Sequence, residues 1–385
     1  MSYRSLVCAV LALPLPSNDP VDFTPAFEML SRAIKEQAFP GCAAAVGTHL
    51  QILHQGALGS VDYEGGGPVT AQSLFDLASL TKVIGTTSVV LVLERDGKLS
   101  LTDPVSRYIP TFHGGEKDKV TIEHLLTHSS GLPAWKPLYR EAQGYGAVIE
   151  KAISVPLEDA PGTRERYSDI GFMILGEVAA RAAGRPLPAI ERELVFDPLG
   201  LSNLRRDPPE SEMERIVPTE KVPTGPLRGP GEGLLLRGIR GKVHDENAAA
   251  AGGLTGHAGL FATIDDLSRL ARELLKGYRG ESPVFPAELV RKYVTRRDLV
   301  KGSSRALGWD TPSEGSSAGK LLGPRSFGHT GFTGTSLWVD PDRDLFLILL
   351  TNRVHPTREN LAILAVRRQF ADLVVRCFDR TIERP

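Results

Sequence analysis

The sequence predicts an α+β fold in which helices flank an antiparallel sheet built from both chain ends, with a mostly helical subdomain inserted between them. Two predicted hairpins, one near each end, support this fold class. Residues 42–47 and 50–55 form the first pair of apolar strands. Residues 335–340 and 344–351 form the second pair around a Pro-Asp turn, whose residue types are typical of tight turns.

Helical periodicity marks the segments next to these hairpins. Residues 23–38 and 357–378 carry apolar side chains at the spacing of one helix face. The intervening chain is mostly helix and loop, and it includes a Pro/Gly-rich stretch, 207–243.

These patterns divide a single domain into two parts. We expect residues 21–104 and 306–385 to form the sheet subdomain and residues 105–305 to form the helical and loop subdomain. Ligand clefts lie preferentially at such junctions, so we expect the functional site there.

Composition excludes several classes of protein. The chain has 385 residues, 41% hydrophobic and 24% charged, with a net charge of -1. This balance is typical of a globular protein and indicates no nucleic-acid partner. Cys8, Cys42 and Cys377 are odd in number and far apart, so they predict neither a disulfide framework nor a C-x-x-C site. The oligomeric state stays open.

The N-terminus allows two interpretations. Arg4 and the apolar run 6–13 are similar to a short signal peptide, but no A-x-A cleavage site follows. Residues 1–20 are therefore predicted as a tail or a weak signal segment, and a periplasmic or secreted location and a cytoplasmic one both stay open. No other stretch reaches the roughly 18 uncharged apolar residues that a membrane helix needs.

The first chemical motif is Ser79-Leu80-Thr81-Lys82. Positions i and i+3 share one helix face, so the Lys82 amine can reach the Ser79 hydroxyl. Residues 83–93 are apolar almost all round, which predicts a buried helix, and Gly97 supplies its C-cap. Burial lowers the pKa of a lysine toward its basic form. Ser79 is therefore a candidate nucleophile with its own proton acceptor.

Two further motifs complete the pattern: Y-S-D at residues 167–169 and H-T-G at residues 329–331. The order S-x-x-K, Y-x-[N/S/D], [K/H]-T-G resembles that of the penicillin-recognising serine hydrolases, which include class C β-lactamases, D-alanyl-D-alanine carboxypeptidases and esterases of the same fold. The resemblance spans essentially the whole chain, including the loop segments 126–133 and 256–261.

The resemblance implies a role for each matching residue. Ser79 would attack a carbonyl carbon and become acylated, while Lys82 and Tyr167 would carry its proton to the leaving group. The backbone N–H groups of Ser79 and Phe332 would form the oxyanion hole. The remaining substrate-binding residues implied are His329, Thr330 and Gly331. The family needs no metal or other cofactor, and its substrates are small esters, peptides or lactams.

Asp169 stands where class C enzymes have asparagine. A carboxylate near Lys82 raises the pKa of that lysine and so opposes the effect of burial. Tyr167, or the Asp169–Lys82 pair, then becomes the better candidate for the proton acceptor.

His329 stands where β-lactamases have the lysine of K-T-G. A histidine is mostly neutral near pH 7, which weakens the attraction for a substrate carboxylate, although Arg325 or Arg353 could supply the charge instead. Uncharged esters have no carboxylate, so replacing this lysine with histidine does not weaken their binding. We therefore expect a serine hydrolase acting as a carboxylesterase on small acyl esters. The alternatives are a D-alanyl-D-alanine carboxypeptidase or weak β-lactamase, and a penicillin-binding sensor that acylates without turnover.

Other sequence patterns give weaker evidence of a functional role. Residues 315–319 match G-x-S-x-G around Ser317, but no strand precedes and no helix follows them, so we expect a surface loop. His124 and His128 have a zinc-like spacing without the glutamate, which favours a structural pair and no metal. Three residues are candidates for the cleft rim: Trp135, Tyr139 and His257.

Overall fold

The computed structural model describes residues 21–221 and 240–382. The predicted tail or signal segment and residues 222–239 of the Pro/Gly-rich stretch lie outside these described residues.

Among the described residues, one antiparallel sheet has six strands in the order β3-β2-β1-β9-β8-β7. Its strands are β1 (Gly41–Gly47), β2 (Ile52–Asp62), β3 (Gly65–Pro68), β7 (Phe327–Thr330), β8 (Ser336–Asp340) and β9 (Leu345–Thr351). The two chain ends meet at the centre, where Ala44 of β1 pairs with Leu349 of β9 on one side and with Gly56 of β2 on the other. The predicted fold class is confirmed.

A second, small sheet joins three distant segments. Its strands are β4 (Phe75–Asp76), β5 (Arg205–Arg206) and β6 (Leu260–Ala262). Pairing of Asp76 with Phe261 brings the segment before Ser79 against the loop that carries His257. This pairing positions two walls of the functional site.

Helices cover both faces of the large sheet. They are α1 (Thr24–Lys35), α2 (Ser88–Arg95), α3 (Ile122–Leu126), α4 (Tyr145–Ser154), α5 (Asp169–Ala183), α6 (Leu187–Glu191), α7 (Glu246–Ala250), α8 (Ile264–Arg279), α9 (Ala287–Val294) and α10 (Ile363–Ile382). Short 3-10 segments cover Val105–Arg107, Gly115–Lys119, Leu138–Arg140 and Glu210–Arg215. Phe27 of α1 and Phe370 of α10 pack together on one face of the sheet. The opposite face packs on the helical part of the chain.

The segment after Ser79 is completely buried. Lys82–Thr87 forms a π-helical turn that continues directly into α2, and every side chain of this turn is buried. Gly85 lies within it, where a Cβ atom would collide with the Glu191 carboxylate. No described helix is long and apolar enough to cross a membrane.

Two element boundaries differ from the predicted ones for physical reasons. β2 continues beyond residue 55 through Gly56 and Gly59, where any Cβ would meet Phe27 or the Pro40 carbonyl, so these glycines permit close packing and do not end the strand. The last helix begins at Ile363 and not at residue 357, since the preceding residues form a loop beside the site.

Candidate active site

Ser79 lies on a strained turn just before the π-helical segment. Ala78 has a positive φ of 46°, a conformation that is costly for a residue with a side chain. The Asp76 carboxylate stabilises this turn, because it accepts hydrogen bonds from the amides of Ala78 at 2.8 Å and His244 at 2.7 Å. Burial raises the pKa of Asp76, while those two hydrogen bonds act in the opposite direction. The turn holds the Ser79 hydroxyl at the cavity surface.

Lys82 is fully buried and makes three polar contacts. Its Nζ donates to Ser79 Oγ at 2.9 Å, Asp169 Oδ1 at 2.6 Å and the His257 carbonyl at 3.1 Å. Burial lowers the pKa of Lys82, but the Asp169 carboxylate and Tyr167 raise it by more, so the net pKa lies above its usual value. Lys82 is therefore an ammonium group in the resting protein.

Tyr167 lies between two imidazole rings and two cations. Its ring centroid is 4.4 Å from that of His128 and 5.9 Å from that of His329. Lys82 Nζ lies 4.9 Å from the ring centroid and Arg305 Cζ lies 5.3 Å from it. Both cations therefore lie within cation–π distance of the Tyr167 ring.

Both histidines beside Tyr167 are neutral. Burial, together with the nearby charges of Arg305 and Lys82, holds the pKa of His128 and that of His329 well below the usual range. His329 Nδ1 donates to the Thr330 carbonyl at 2.8 Å, whereas His128 Nδ1 accepts the Ser168 amide at 3.0 Å. The H-T-G segment thus supplies no cation of its own.

The amides of Ser79 and Phe332 are the two donors that the sequence predicts for an oxyanion hole. Neither donates a hydrogen bond to another residue in the described ranges. Two hydroxyls tie their segments together: Thr333 Oγ1 donates to the Asp76 carbonyl at 2.7 Å, and Thr335 Oγ1 donates to the Leu77 carbonyl at 3.0 Å.

These residues open into a cavity of about 650 Å³. Its lining includes Ser79, Tyr167, Asp169, His257, Thr330, Gly331, Phe332 and Trp135. Phe332 is 48% exposed and Trp135 is 41% exposed, so both provide apolar surface at the rim. Tyr139 does not line this cavity: it packs against the core, with its ring 6.4 Å from that of Trp135. His257 lines the cavity wall and bonds to Asp245 through Nε2 at 2.9 Å.

The two arginines considered as carboxylate partners lie in different places. Arg325 pairs with Asp342 on the surface. Arg353 lines the cavity, where its Cζ lies 4.3 Å from the Phe332 ring centroid and its Nε donates to the Phe332 carbonyl at 2.7 Å. Its Nη1 donates to the carbonyls of Arg358 at 2.7 Å and Asn360 at 3.2 Å, and it forms no ion pair with a described carboxylate.

The weaker patterns have structural roles. Ser317 lies in a loop and accepts a hydrogen bond from Trp338 Nε1 at 3.0 Å. His124 belongs to the capping box of α3 with Thr121. Within the described ranges, no cluster of histidine, cysteine or carboxylate side chains could hold a metal ion.

Several site residues were missed by the sequence argument: Asp76, Arg305, Thr333, Thr335 and Arg367. One of them carried a usable signal. Arg367 lies on the apolar face of α10, four residues after buried Ile363 and three before buried Phe370. A charged residue in such a stripe indicates a buried polar contact.

Comparison with known proteins shows the family to which the chain belongs. The family described as Beta-lactamase matches residues 27–371. A relative from Escherichia coli (strain K12), named "Putative D-alanyl-D-alanine carboxypeptidase", is 32% identical over 77% of this chain and 73% of its own length. An "N-acetylmuramyl-L-alanine amidase" from Bacillus subtilis (strain 168) is 31% identical over 85% of this chain and 80% of its own.

Solved structures share the fold. A penicillin-binding protein homologue from Caulobacter crescentus has a TM-score of 0.72 at 21% identity, covering 92% of this chain and 97% of its own. EstCE1, a hydrolase with promiscuous acyltransferase activity, has a TM-score of 0.70 at 22% identity and covers 92% of this chain and 98% of its own. The chain is therefore a serine hydrolase that belongs to the beta-lactamase family.

Proposed function

We propose that the protein hydrolyses its substrate through an acyl-enzyme on Ser79. Ser79 Oγ attacks the substrate carbonyl carbon, and its proton passes to the network of Lys82, Tyr167 and Asp169. The amides of Ser79 and Phe332 stabilise the oxyanion that forms. The network returns the proton to the leaving group, and water then cleaves the acyl-enzyme and restores Ser79.

The charge of Lys82 decides how the proton moves. An ammonium group cannot accept the Ser79 proton, so Lys82 must first give a proton to Asp169, 2.6 Å away, or Tyr167 must act as the acceptor. In both routes, Lys82 Nζ orients Ser79 Oγ through their 2.9 Å contact. The base is thus a property of the network and not of one residue.

For the substrate, we propose small amides or esters that carry a carboxylate, a class that includes D-alanyl-D-alanine peptides. The observation that supports this class is Arg353, a cation at the cavity wall without a carboxylate partner among the described residues. It offsets the neutral His329. The names of the Escherichia coli and Bacillus subtilis relatives agree with peptide-derived substrates.

A carboxylesterase acting on small uncharged acyl esters is the second candidate. The neutral His329 and the apolar rim of Phe332 and Trp135 favour it. The two candidates differ in whether substrate charge matters, so one matched pair of substrates separates them.

The test compares an acyl-D-alanyl-D-alanine peptide with its C-terminal amide, which has the same shape without the charge. We expect kcat/KM to favour the free acid by about tenfold or more, as for one good charged contact of about 1.4 kcal/mol. Arg353→Met should remove this preference, whereas Arg325→Met, on the surface, should keep it.

Two other outcomes would contradict the substrate class. Turnover of p-nitrophenyl butyrate above that of either peptide, unchanged in Arg353→Met, would establish the uncharged esterase. A stoichiometric burst without turnover would indicate the sensor. In every case, mass spectrometry of the digested enzyme identifies the residue that carries the acyl group. Acylation of a residue other than Ser79 would refute the mechanism.

A further inference from the structure

We propose that Arg367 strengthens the oxyanion hole from behind, by polarising the peptide group whose N–H faces the substrate. Arg367 acts through this peptide and is a positioning residue. The inference rests on the proposed function, in which the Phe332 amide stabilises the tetrahedral intermediate.

The guanidinium of Arg367 donates to two backbone carbonyls, and one of them belongs to the peptide group that carries the Phe332 N–H. Arg367 Nη2 donates to the Gly331 carbonyl at 2.6 Å and to the Thr335 carbonyl at 2.8 Å. The Gly331 amide itself donates to the Thr335 carbonyl at 2.7 Å, which closes the turn. The Gly331 carbonyl and the Phe332 N–H belong to the same peptide group. Arg367 therefore binds the carbonyl oxygen of the peptide whose N–H is the proposed oxyanion donor.

A charged donor on the carbonyl changes the strength of the amide. A charge-assisted hydrogen bond draws electron density toward the carbonyl oxygen and leaves the N–H more positive. The effect is largest where water is excluded, and Arg367 is only 7% exposed. The Phe332 amide should therefore bind an oxyanion more strongly than an ordinary backbone N–H does.

The charge of Arg367 is not used in an ion pair. Within the described ranges no carboxylate pairs with it, and its Nε has no hydrogen-bond partner there. Buried cations usually have a partner anion, because an unpaired buried charge costs several kcal/mol. Burial, with a smaller effect of Arg353, lowers the pKa of Arg367 to about 9, so the group is still charged at neutral pH.

The loop leaves little freedom for the peptide to turn away. A Cβ at Gly331 would collide with the Leu77 carbonyl and with Thr335 Oγ1, so the backbone passes in direct contact with the nucleophile turn. The Thr335 hydroxyl fixes the other side through Leu77. These contacts with Leu77 already fix the position of the loop. The contribution that remains for Arg367 is therefore its positive charge.

The test separates charge from shape with three variants. Arg367→Met removes the charge and both hydrogen bonds, Arg367→Lys keeps a charge and a donor, and Arg368→Met is the matched control, since Arg368 is exposed on the same helix. For each we would measure thermal unfolding, kcat, KM and the affinity for 3-aminophenylboronic acid, whose tetrahedral adduct with Ser79 mimics the intermediate.

We expect Arg367→Met to lower kcat and boronate affinity together by about tenfold, less than the 10²–10³ found on removing an oxyanion donor, with KM nearly unchanged. Arg367→Lys should recover most of this loss at neutral pH. Its kcat should fall with rising pH at a lower pH than in the wild type, because a lysine in this buried position loses its charge before Arg367 does, and a neutral amine still donates hydrogen bonds but carries no charge. Arg368→Met should match the wild type.

Wild-type kcat and boronate affinity in a folded Arg367→Met protein would overturn the inference. An Arg367→Lys enzyme whose kcat falls at the same high pH as that of the wild type would also overturn it, and this second measurement decides the matter if Arg367→Met does not fold. A wild-type enzyme that acylates Ser79, with unaffected Arg367 variants, refutes this inference alone. A wild type that never acylates Ser79 refutes the proposed function as well.

Discussion

Asp169 Oδ1 lies 2.6 Å from Lys82 Nζ, and the same nitrogen lies 2.9 Å from Ser79 Oγ. The Lys82 ammonium group thus contacts both the Asp169 carboxylate and Ser79, the proposed nucleophile. The contact with Asp169 raises the pKa of Lys82 although burial acts in the opposite direction.

Replacing Asp169 with asparagine should shift the pH dependence of acylation. Without the carboxylate, burial dominates and the pKa of Lys82 falls, so the amine becomes a free base at lower pH. The acidic limb of kcat/KM should move to lower pH by about one unit or more, as for loss of one close opposite charge. Asp197→Asn, which breaks the exposed pair with Arg192, is the control. An Asp169→Asn profile that overlays the wild type would rule out this account of Lys82.

Serine replacements should distinguish Ser79, the proposed nucleophile, from Ser317 of the G-x-S-x-G pattern. Ser79→Ala should abolish turnover and acylation, measured by rate assay and mass spectrometry. Ser317→Ala should keep turnover but lower the free energy of unfolding by about 1 kcal/mol, because the Trp338 indole N–H loses its acceptor. Loss of activity in Ser317→Ala with retained activity in Ser79→Ala would reverse the assignment.

A buried ion pair should control the stability of the loop that carries His257. Glu191 and Arg206 are almost completely buried, 2.8 Å apart, and Arg206 also donates to the carbonyls of Gly253 and Thr255. Arg206→Met should lower the free energy of unfolding by about 3–5 kcal/mol, because it leaves Glu191 charged and unpaired.

Urea denaturation should measure the free energy of unfolding of Arg206→Met and of two further variants. Glu191→Leu with Arg206→Met should be more stable than Arg206→Met alone, since no charge is left unpaired. Arg192→Met at the exposed pair with Asp197 should change stability by less than about 1 kcal/mol. Equal losses at the buried and exposed pairs would contradict the argument.

Acid should destabilise the protein through the neutral buried histidines. The pKa of His329 in the folded state lies well below its unfolded value of about 6.5. Its stability contribution is therefore complete above pH 6.5 or so and is lost as the pH falls below it, by up to about 1.4 kcal/mol per pH unit. His329→Gln should make the unfolding free energy less dependent on pH between about 6.5 and 5. His113→Gln, at an exposed position, should keep the wild-type slope; equal slopes in all three proteins would exclude this effect of His329.

Sequence reasoning reached the fold class through patterns that are local. The two hairpins and the amphipathic helices each follow from residues close together in the chain, and the S-x-x-K spacing places Lys82 beside Ser79 without knowledge of the rest. The predicted end of β2 at residue 55 was wrong, because the strand continues through Gly56 and Gly59, which lie in contact with α1 and with Pro40.

The missed residues act across long separations. The contact of Thr335 with Leu77 and that of Arg305 with Tyr167 depend on how segments far apart in sequence meet, which no local spacing encodes. The position of Tyr139 behind Trp135 has the same origin, since the rim forms only where the loop after Pro133 meets the core.

The central pairing of β1 with β9 also determines when the protein can become active during its synthesis. Cys42 pairs with Thr351, so the sheet cannot close until residue 351 has left the ribosome. Until then Ser79 lacks the Phe332 amide, its proposed partner in the oxyanion hole, and the open edge of β1 is free to pair with another chain. Fragments that end before β7 should therefore be both inactive and prone to aggregate.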